Sequence, residues 1–385
     1  MRHGKRRKLA TTMRAPPRVA VIDLGSNSLK FLVAELRHHR GAAPEIVALK
    51  EGFAEVRLLD NRHHQPESGI VATTNPNVAT TNPSDEISQE KIAAGTRAVK
   101  EFLEVVRGFS PQSIEIVGTS VFRSATNADA FSEALCRETG MRVRVLSGTE
   151  EAIGIARGVA TDPFVQAECA RAGAPATVFD LGGGSLEFIA LGGGFHNGGG
   201  DCGGNGGEIF ARSFPLGAVR LTREFVAEPE APIPSEIVAK IRESVRAQAG
   251  EVFRRHYRAG SPAVISGGAA AIVAKIVATT NPTLTTNPNL TTNSTTNPPT
   301  TIRRISVAAT ENLLREVASR CRADRVRDFR GLPAARADIF PTALAVFVEL
   351  ATICGIAGFL ISGRNLRFGI AAEHLFRVDR ARAQC

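Results

Sequence analysis

The chain has 385 residues, 43% of them hydrophobic and 22% charged, and its formal net charge is +9. This length and apolar content exclude a chain that is disordered as a whole, and they suffice for two domains with separate cores. The six cysteines form no CxxC pair, which argues against a zinc site or a disulfide framework and predicts reduced thiols in a cytoplasmic protein.

The excess of basic residues suits a polyanionic ligand. Nucleic acid is not the predicted ligand, because the chain has no Trp, one Tyr and no basic–aromatic motif. Residues 1–17 are basic and end in proline, and no apolar segment follows them as in a secretory signal. We predict that they form a disordered tail.

The first patterned stretch follows this tail. Residues 19–23 and 29–36 are apolar runs typical of strands, and the DLGSNS segment that joins them predicts a tight turn. The groups that would bind a phosphate there are the backbone amides and side chains of Gly25, Ser26, Asn27 and Ser28. A turn made of ordinary turn-forming residues, with no ligand, is the alternative.

Two low-complexity segments interrupt the pattern, at 66–84 and at 277–300. Both are built from repeats of Thr-Thr-Asn-Pro. Such repeats have few groups to bury, and a helix cannot continue through each proline. We therefore predict two flexible loop insertions.

Between the insertions, apolar residues recur with helical or strand spacing. The pattern predicts strands at 45–56, 114–117 and 142–146 and helices at 87–106, 128–138 and 150–159. Arg123 follows a predicted strand end, where a guanidinium is able to bind phosphate through two nitrogens. Glu150 and Glu151 lie in the first turn of the last helix, a place where acidic residues are also common for structural reasons.

The segment DLGGGSLEF at 180–188 repeats DLGSNSLKF at 23–31, with Asp, Leu, Gly, Ser, Leu and Phe at the same spacing. It predicts a second hairpin at 177–191, and Asp180 at its strand end is placed to hold a hydrated Mg²⁺. The phosphate-binding turn of this copy would be Gly182, Gly183, Gly184 and Ser185. Either copy alone favours a plain Gly-rich hairpin, whereas two matched copies favour a paired phosphate clamp. Glu187 stands where the first copy has Lys30, so the two copies are not symmetric at this position. A reaction at the site would require such an asymmetry.

The rest of the chain continues the alternation. We predict a Gly-rich loop at 192–207, strands at 209–215 and 263–265, and helices at 221–227, 235–257, 308–321 and 370–377. The apolar run at 339–361 is long enough to span a membrane, but Glu349 near its centre would be costly there. We predict instead a buried helix at 341–353 and a strand at 358–362.

Five motifs carry a family resemblance: DLGSNSLKF, GTSVFRSATNADAF, SGTEEA, DLGGGSLEF and GLPAARAD. In this order they resemble the exopolyphosphatase / guanosine pentaphosphate phosphatase (Ppx/GppA) family, in its short two-domain form, over residues 18–376. Strands that alternate with helices in two similar halves already indicate α/β lobes with a cleft between them. The resemblance implies two ribonuclease H-like lobes of the actin-like ATPase superfold. We place these lobes at 18–152 and 153–369, with a closing helix at 370–385 that packs back on the N-terminal lobe.

The resemblance also implies roles for individual residues. Glu151 matches the general base of the family, Glu187 its second carboxylate near metal and water, and Arg123 a phosphate-contacting arginine. The metal would be Mg²⁺, for which Mn²⁺ can substitute, and its ligands would be Asp23, Asp180 and Glu187.

Two later motifs fit the family less closely. Gly267 and Gly268 resemble its third Gly-rich loop and would also bind phosphate, although Ala269 stands where Thr is common. Arg336 and Asp338 belong to the GLPAARAD motif and either line the cleft or cap a helix.

The implied activity is hydrolysis of the terminal phosphoanhydride bond of polyphosphate, or of pppGpp to ppGpp, by water that a glutamate directs. The expected protein is cytoplasmic, without a nucleic-acid or membrane partner, and a possible homodimer. An actin-like small-molecule kinase is one alternative, and a polyphosphate- or nucleotide-binding protein impaired by the insertions is another. Because the chain ends at Cys385 without the helical extension of longer family members, we expect distributive action on polyphosphate.

Overall fold

A computed structural model describes residues 15–39, 41, 43–58, 86–191, 209–280 and 303–383. The predicted tail, the two predicted insertions and the predicted Gly-rich loop lie wholly or mostly outside these residues. They are the segments at 1–17, 66–84, 277–300 and 192–207. A helix reaches Thr280, so the first four residues of the segment at 277–300 are helical rather than part of a loop.

The N-terminal lobe is built on a five-stranded sheet. Its elements are β1 (Arg18–Leu24), β2 (Leu29–Arg37), β3 (Glu45–Ala54), α1 (Gln89–Arg107), β4 (Ser113–Gly118), α2 (Ser120–Ser124), α3 (Ala128–Thr139) and β5 (Val143–Val145). The strand order is β3-β2-β1-β4-β5. Strands β1 to β3 form an antiparallel meander, and β4 and β5 add in parallel to β1.

The C-terminal lobe is built on a six-stranded sheet. Its first elements are α4 (Gly148–Ala160), α5 (Pro163–Ala172), β6 (Thr177–Leu181), β7 (Leu186–Ala190), β8 (Phe210–Phe214), α6 (Ala218–Phe225), α7 (Ser235–His256), β9 (Ala263–Ser266) and α8 (Gly267–Thr280). The chain then forms β10 (Arg304–Ser306), α9 (Val307–Ala318), α10 (Arg322–Asp328), α11 (Phe340–Cys354), β11 (Gly358–Ile361) and α12 (Leu366–Ala383).

The two sheets share one topology. The second sheet has the order β10-β11-β9-β6-β7-β8, in which β6 to β8 form an antiparallel meander and β9 and β11 add in parallel. Strands β6, β7, β8, β9 and β11 thus correspond to β1 to β5, and β10 is an additional edge strand. This duplication confirms the prediction of two ribonuclease H-like lobes of the actin-like superfold.

Helices α4 and α12 pack between the two sheets. An apolar cluster there joins β1, α4, β7 and α12, with Val21, Ile155, Ile189 and Leu375 among its members. Glycines allow the two helices to approach closely. A Cβ atom on Gly158 would lie 2.0 Å from the carbonyl oxygen of Asn365, and a Cβ on Gly369 would lie 1.7 Å from the carbonyl oxygen of Gly154. Helix α12 also contacts β1 and β2 of the N-terminal sheet, and α4 contacts β7 and β8 of the C-terminal sheet. The packed pair of helices therefore joins the two lobes.

The long apolar run forms helix α11 followed by strand β11, as predicted. Glu349 is fully buried in α11 and pairs with Arg242 and Arg246 of α7, each at 2.8 Å. No helix in the part of the chain that the structure describes is long and apolar enough to cross a membrane.

Six short or atypical elements of the described residues were not predicted: α2, α5, α8, β10, α10 and a 3-10 helix at Ala334–Arg336. Helix α8 begins at Gly267-Gly268, and glycines at a helix start weaken the periodic signal. Strand β10 has three residues and pairs with β11 at the sheet edge, so tertiary contacts rather than its own sequence define it.

Candidate active site

One cavity between the lobes brings together nearly all of the predicted site residues. Those that line it are Asp23, Gly25, Ser26, Asn27, Ser28, Glu151, Asp180, Gly182, Gly183, Gly184, Ser185, Glu187, Gly267 and Gly268. Arg123 is the one predicted residue outside this lining. The space inside is about 70 Å³, room for a few water molecules.

The first turn, at residues 25–28, joins β1 to β2. The chain that follows β3 forms hydrogen bonds with it. The amides of Leu58 and Arg57 donate to the carbonyl oxygens of Ser26 and Asn27, each at 3.0 Å. The side chain of Asn27 is buried, yet neither its Oδ1 nor its Nδ2 has a hydrogen-bond partner among the described residues. Buried amide groups in native proteins are normally paired, so the turn is arranged for a polar ligand.

The second turn joins β6 to β7 and is fixed by the start of α6. Its carbonyl oxygens at Gly182 and Gly183 accept from the amides of Ala218 and Val219, at 3.0 and 2.9 Å. No described residue accepts a hydrogen bond from the amides of Gly183 and Gly184. Successive backbone amides of this kind bind phosphate oxygens.

The two turns approach each other closely across the cavity. A Cβ atom on Gly184 would lie 2.5 Å from Ser120 Oγ and 2.8 Å from Ser26 Oγ. A Cβ on Gly183 would lie 3.3 Å from Asn27 Cβ. The glycines of the second turn therefore allow the lobes to close over a small ligand.

Asp23 and Asp180 occupy equivalent positions at the ends of β1 and β6. Each pairs with the first charged residue of the returning strand: Asp23 with Lys30, and Asp180 with Glu187. Burial raises the pKa of both aspartates above the ordinary value, and Lys30 opposes this rise by stabilising their charged forms. The same burial lowers the pKa of Lys30.

Glu151 lies in the first turn of α4, with its side chain buried and facing the cavity. Arg123 Nη1 donates to Glu151 Oε2 at 2.7 Å and to the carbonyl oxygen of Leu146 at 2.8 Å. Burial nevertheless raises the pKa of Glu151 to about 7, against the stabilising charge of Arg123. Arg123 thus holds the Glu151 carboxylate in place without lining the cavity itself. The predicted contact of Arg123 with phosphate stays a prediction.

The neighbouring Glu150 has a structural position. It forms a capping box with Ser147, whose Oγ accepts from the Glu150 amide at 3.1 Å while the Glu150 carboxylate accepts from the Ser147 amide at 2.9 Å. These hydrogen bonds and Arg144 lower the pKa of Glu150 to about 2. The environments of these two adjacent glutamates therefore shift their pKa values in opposite directions.

Glu187 is buried on β7 beside the other carboxylates. Ser213 of β8 lies opposite it in the sheet and donates its hydroxyl to Glu187 Oε1 at 2.8 Å. Burial raises the pKa of Glu187 well above the ordinary value, and the charges of Glu151 and Asp180 raise it further.

The donor set at this site is compatible with a divalent cation. Asp23 Oδ1 is buried and accepts no hydrogen bond from a described residue, and a cation or its water would satisfy it. Among the residues that the structure describes, no three His, Cys, Asp or Glu side chains lie close enough together to hold a metal ion between them. Mg²⁺ commonly binds through one or two carboxylates and keeps water and phosphate as its other ligands. Asp23 and Asp180 fit that pattern, and a direct bond from Glu187 stays a prediction.

Several residues of the cavity were not predicted as site residues from the sequence. They are Lys30, Thr119, Ser120, Ile155, Arg336, Asn365 and Leu366, together with Leu181. Of the two positions considered for Arg336, the cleft or a helix cap, the structure shows the cleft, where Arg336 Nη2 donates to Ser28 Oγ at 3.0 Å. Asp338 is buried and accepts two hydrogen bonds from Arg57. Asn365 carried no motif signal, although its Oδ1 is buried without a partner among the described residues.

Known proteins resemble this chain in sequence over slightly less than half of its length. It is 32% identical over 181 residues to a guanosine-5'-triphosphate,3'-diphosphate pyrophosphatase of Vibrio atlanticus, a match that covers 47% of this chain and 30% of the relative. A protein of the same name from Vibrio parahaemolyticus is 32% identical over 179 residues, with 46% and 30% covered. The chain thus matches less than a third of the length of these relatives.

Solved structures resemble it over nearly the whole chain. An exopolyphosphatase from Cytophaga hutchinsonii matches with a TM-score of 0.69 and 18% identity, covering 93% of this chain and 97% of that one. The Aquifex aeolicus member of the Ppx/GppA protein family matches with a TM-score of 0.66 and 19% identity, covering 94% and 99%. At this identity the likeness shows the fold alone.

The family itself is shown by the sequence. The model of the Ppx/GppA phosphatase family matches residues 74–377, which is most of the chain and includes Arg123, Glu151 and the whole second Gly-rich turn. The first turn lies outside that match, but it repeats the second in sequence and in the topology of its sheet. The chain belongs to the Ppx/GppA phosphatase family.

Proposed function

We propose that this protein hydrolyses a terminal phosphoanhydride bond, releasing phosphate from inorganic polyphosphate or from pppGpp. The observation that carries the proposal is that Glu151 and the two turns predicted to bind phosphate face one cavity between the lobes. The names of the similar proteins support it, because they include both a guanosine pentaphosphate pyrophosphatase and an exopolyphosphatase.

The terminal phosphate would lie between the two turns. Its oxygens would accept from the Asn27 side chain and from the amides of Gly183 and Gly184, which have no partners among the described residues. Mg²⁺, held by Asp23 and Asp180, would neutralise phosphate charge when bound. Lys30 and Arg336 would contribute positive charge from the protein itself.

Glu151 would act on the attacking water. Its Oε2 is occupied by Arg123, so Oε1 is the oxygen available to accept a proton from water. A carboxylate with a pKa near 7 is basic enough for this transfer at neutral pH. The water oxygen would bond to the terminal phosphorus, and the bond to the bridging oxygen would break with its electron pair going to the shortened polyphosphate or to ppGpp. Orthophosphate, which carries the oxygen from water, would be the other product. No covalent enzyme intermediate is needed.

The test is phosphate release by the purified chain with Mg²⁺ and three substrates: polyphosphate, pppGpp, and ATP with glycerol. We expect release from one or both of the first two. Phosphorylated glycerol would instead indicate a kinase, and binding of polyphosphate without release would indicate an impaired binding protein. Manganese in place of magnesium is expected to support turnover. A homodimer stays a prediction.

A further inference from the structure

Two aspartates occupy equivalent places in the two lobes but have different neighbours on the adjoining parallel strand. In the N-terminal sheet Asp23 lies opposite Val117 of β4. In the C-terminal sheet Asp180 lies opposite Ser266 of β9. The position that is apolar in one lobe carries a hydroxyl in the other.

Ser266 uses this hydroxyl to hold one side of the Asp180 carboxylate. The Ser266 side chain is fully buried, and its Oγ donates to Asp180 Oδ2. The next residue, Gly267, has a left-handed backbone with φ of +92°, and a Cβ atom there would lie 3.1 Å from Asp180 Oδ1 and 2.7 Å from the carbonyl oxygen of Leu181. The hydroxyl thus fixes Oδ2, and the glycine keeps the space beside Oδ1 free of a side chain.

Asp23 has no equivalent support. Val117 is apolar and buried, so it cannot donate, and Asp23 Oδ1 is without a hydrogen-bond partner among the described residues. The two carboxylates therefore differ in how firmly the protein alone defines their orientation.

We propose that Ser266 is a positioning residue that holds Asp180 with its Oδ1 presented to a divalent cation or to the water around it. Asp23, in contrast, is oriented by the ligand. This role rests on the proposed function, since it gives Asp180 the task of a cation ligand. Hydrogen bonds behind a metal-binding carboxylate fix its direction, and their loss typically lowers metal affinity by about 10- to 100-fold.

The test is isothermal titration of Mg²⁺ into the full chain and into Ser266→Ala, with phosphate release measured on the same samples. We expect Ser266→Ala to bind Mg²⁺ about 10- to 100-fold more weakly and to need correspondingly more Mg²⁺ for half-maximal turnover. Turnover at saturating Mg²⁺ should fall much less. Ser266→Thr keeps the hydroxyl and should restore most of the affinity.

Ser362→Ala is the matched control. Ser362 is also buried and donates to a buried aspartate, Asp162 Oδ2, at 2.8 Å. Neither residue is among those that line the cavity in the described part of the chain. The control should lose thermal stability without losing Mg²⁺ affinity. A purely structural role for Ser266 would make the two variants behave alike.

The outcomes separate the two proposals. Normal Mg²⁺ affinity in Ser266→Ala overturns the role of Ser266 and leaves the proposed function standing. An unaltered chain that binds Mg²⁺ but releases no phosphate overturns the proposed function alone, and one that neither binds Mg²⁺ nor releases phosphate overturns both. An unaltered chain that releases phosphate but binds no Mg²⁺ in the titration overturns the role of Ser266 alone. If Ser266→Ala does not fold, Ser266→Cys takes its place, because a thiol is similar in size but a weaker donor; wild-type affinity in that variant counts against the proposal.

Discussion

The adjacent residues Glu150 and Glu151 differ sharply in environment, and this makes them a matched pair for mutagenesis. Glu151→Gln keeps the shape of the side chain but cannot accept a proton from water. We expect kcat to fall by about 10²- to 10⁴-fold, with substrate affinity retained. Glu150→Gln should keep kcat and lose about 0.5–1 kcal/mol of stability through the weakened capping box. The measurements are phosphate release and urea unfolding, and near-normal turnover in Glu151→Gln would remove it from its assigned role.

The buried carboxylates also predict how stability depends on pH. The folded chain raises the pKa of Glu151 from 4.5 to about 7, so between these values the folded state binds more protons than the unfolded state. The stabilising contribution is present in full below pH 4.5 and is lost as the pH rises through about 7. Asp23, Asp180 and Glu187 shift in the same direction.

We therefore expect the metal-free protein to lose stability between about pH 5 and pH 8. Glu151→Gln should flatten part of this slope, because the amide does not titrate. The measurement is the free energy of unfolding from urea titrations at several pH values in the presence of a chelator. A stability that rises with pH over this interval would contradict the assigned burial of the four carboxylates.

At the scale of elements, the crossing of α4 and α12 depends on glycine. Gly158→Ala would place a methyl group 2.0 Å from the Asn365 carbonyl oxygen, a backbone atom that cannot move without displacing the start of α12. We expect a loss of about 3 kcal/mol or more, together with loss of turnover, because α4 carries Glu151. Gly363→Ala is the control, since nothing lies within 4 Å of a Cβ there and the backbone is not left-handed. The measurement is the free energy of unfolding of Gly158→Ala and Gly363→Ala in urea. Equal values would show that α4 and α12 can move apart to accept the methyl group.

The elements that could be predicted from the sequence are those with strong local signals. The two hairpins follow from strand runs around Gly25 and around Gly182-Gly183-Gly184, and both are present. The run at 339–361 was divided correctly because Glu349 and the small residues after it fit a buried helix and a strand better than one long span. Helix α2 was not predicted, because five residues are too few to show a helical period.

The partners of the site residues could not be predicted in the same way. Motif resemblance predicts Arg123 as a phosphate contact, but it gives no sign that Arg123 also pairs with Glu151, 28 residues away in the chain. Asn365 and Ser266 are brought to the cavity or to its aspartates by strand order and helix packing, which depend on contacts between distant segments. The chemistry of a turn is local, but the groups that orient it come from the whole fold.

At the scale of the whole molecule, two arginines connect the lobes beside the cavity. Arg57 follows β3 in the N-terminal lobe and donates through Nη1 and Nη2 to Asp338 of the C-terminal lobe, at 2.8 and 2.7 Å. Arg336 reaches back to Glu55 at 3.3 Å and to Ser28. The same few residues therefore support the first phosphate turn and hold the lobes together.

We expect Arg57→Met to lower stability by about 3–5 kcal/mol, because Asp338 then stays buried without its bidentate partner. A double-mutant cycle with Asp338→Asn should give a coupling of about 1–3 kcal/mol. Lys100→Met is the control, since the half-exposed pair of Lys100 with Glu138 should contribute no more than about 1 kcal/mol. Small-angle scattering of Arg57→Met should show a larger radius of gyration. An unchanged radius of gyration would mean that helices α4 and α12 alone keep the lobes together.

The narrow space between the two Gly-rich turns has a consequence for measured affinities. With about 70 Å³ between them and Ser26 close to Gly184, the space between the turns is small compared with a chain of linked phosphates. Substrate would enter a more open arrangement, and the measured dissociation constant would include the free energy of opening. If the open form made up about 1% of the molecules, the apparent affinity would be about 100-fold weaker than the intrinsic one. A variant that favours opening would then bind substrate more tightly and hydrolyse it more slowly.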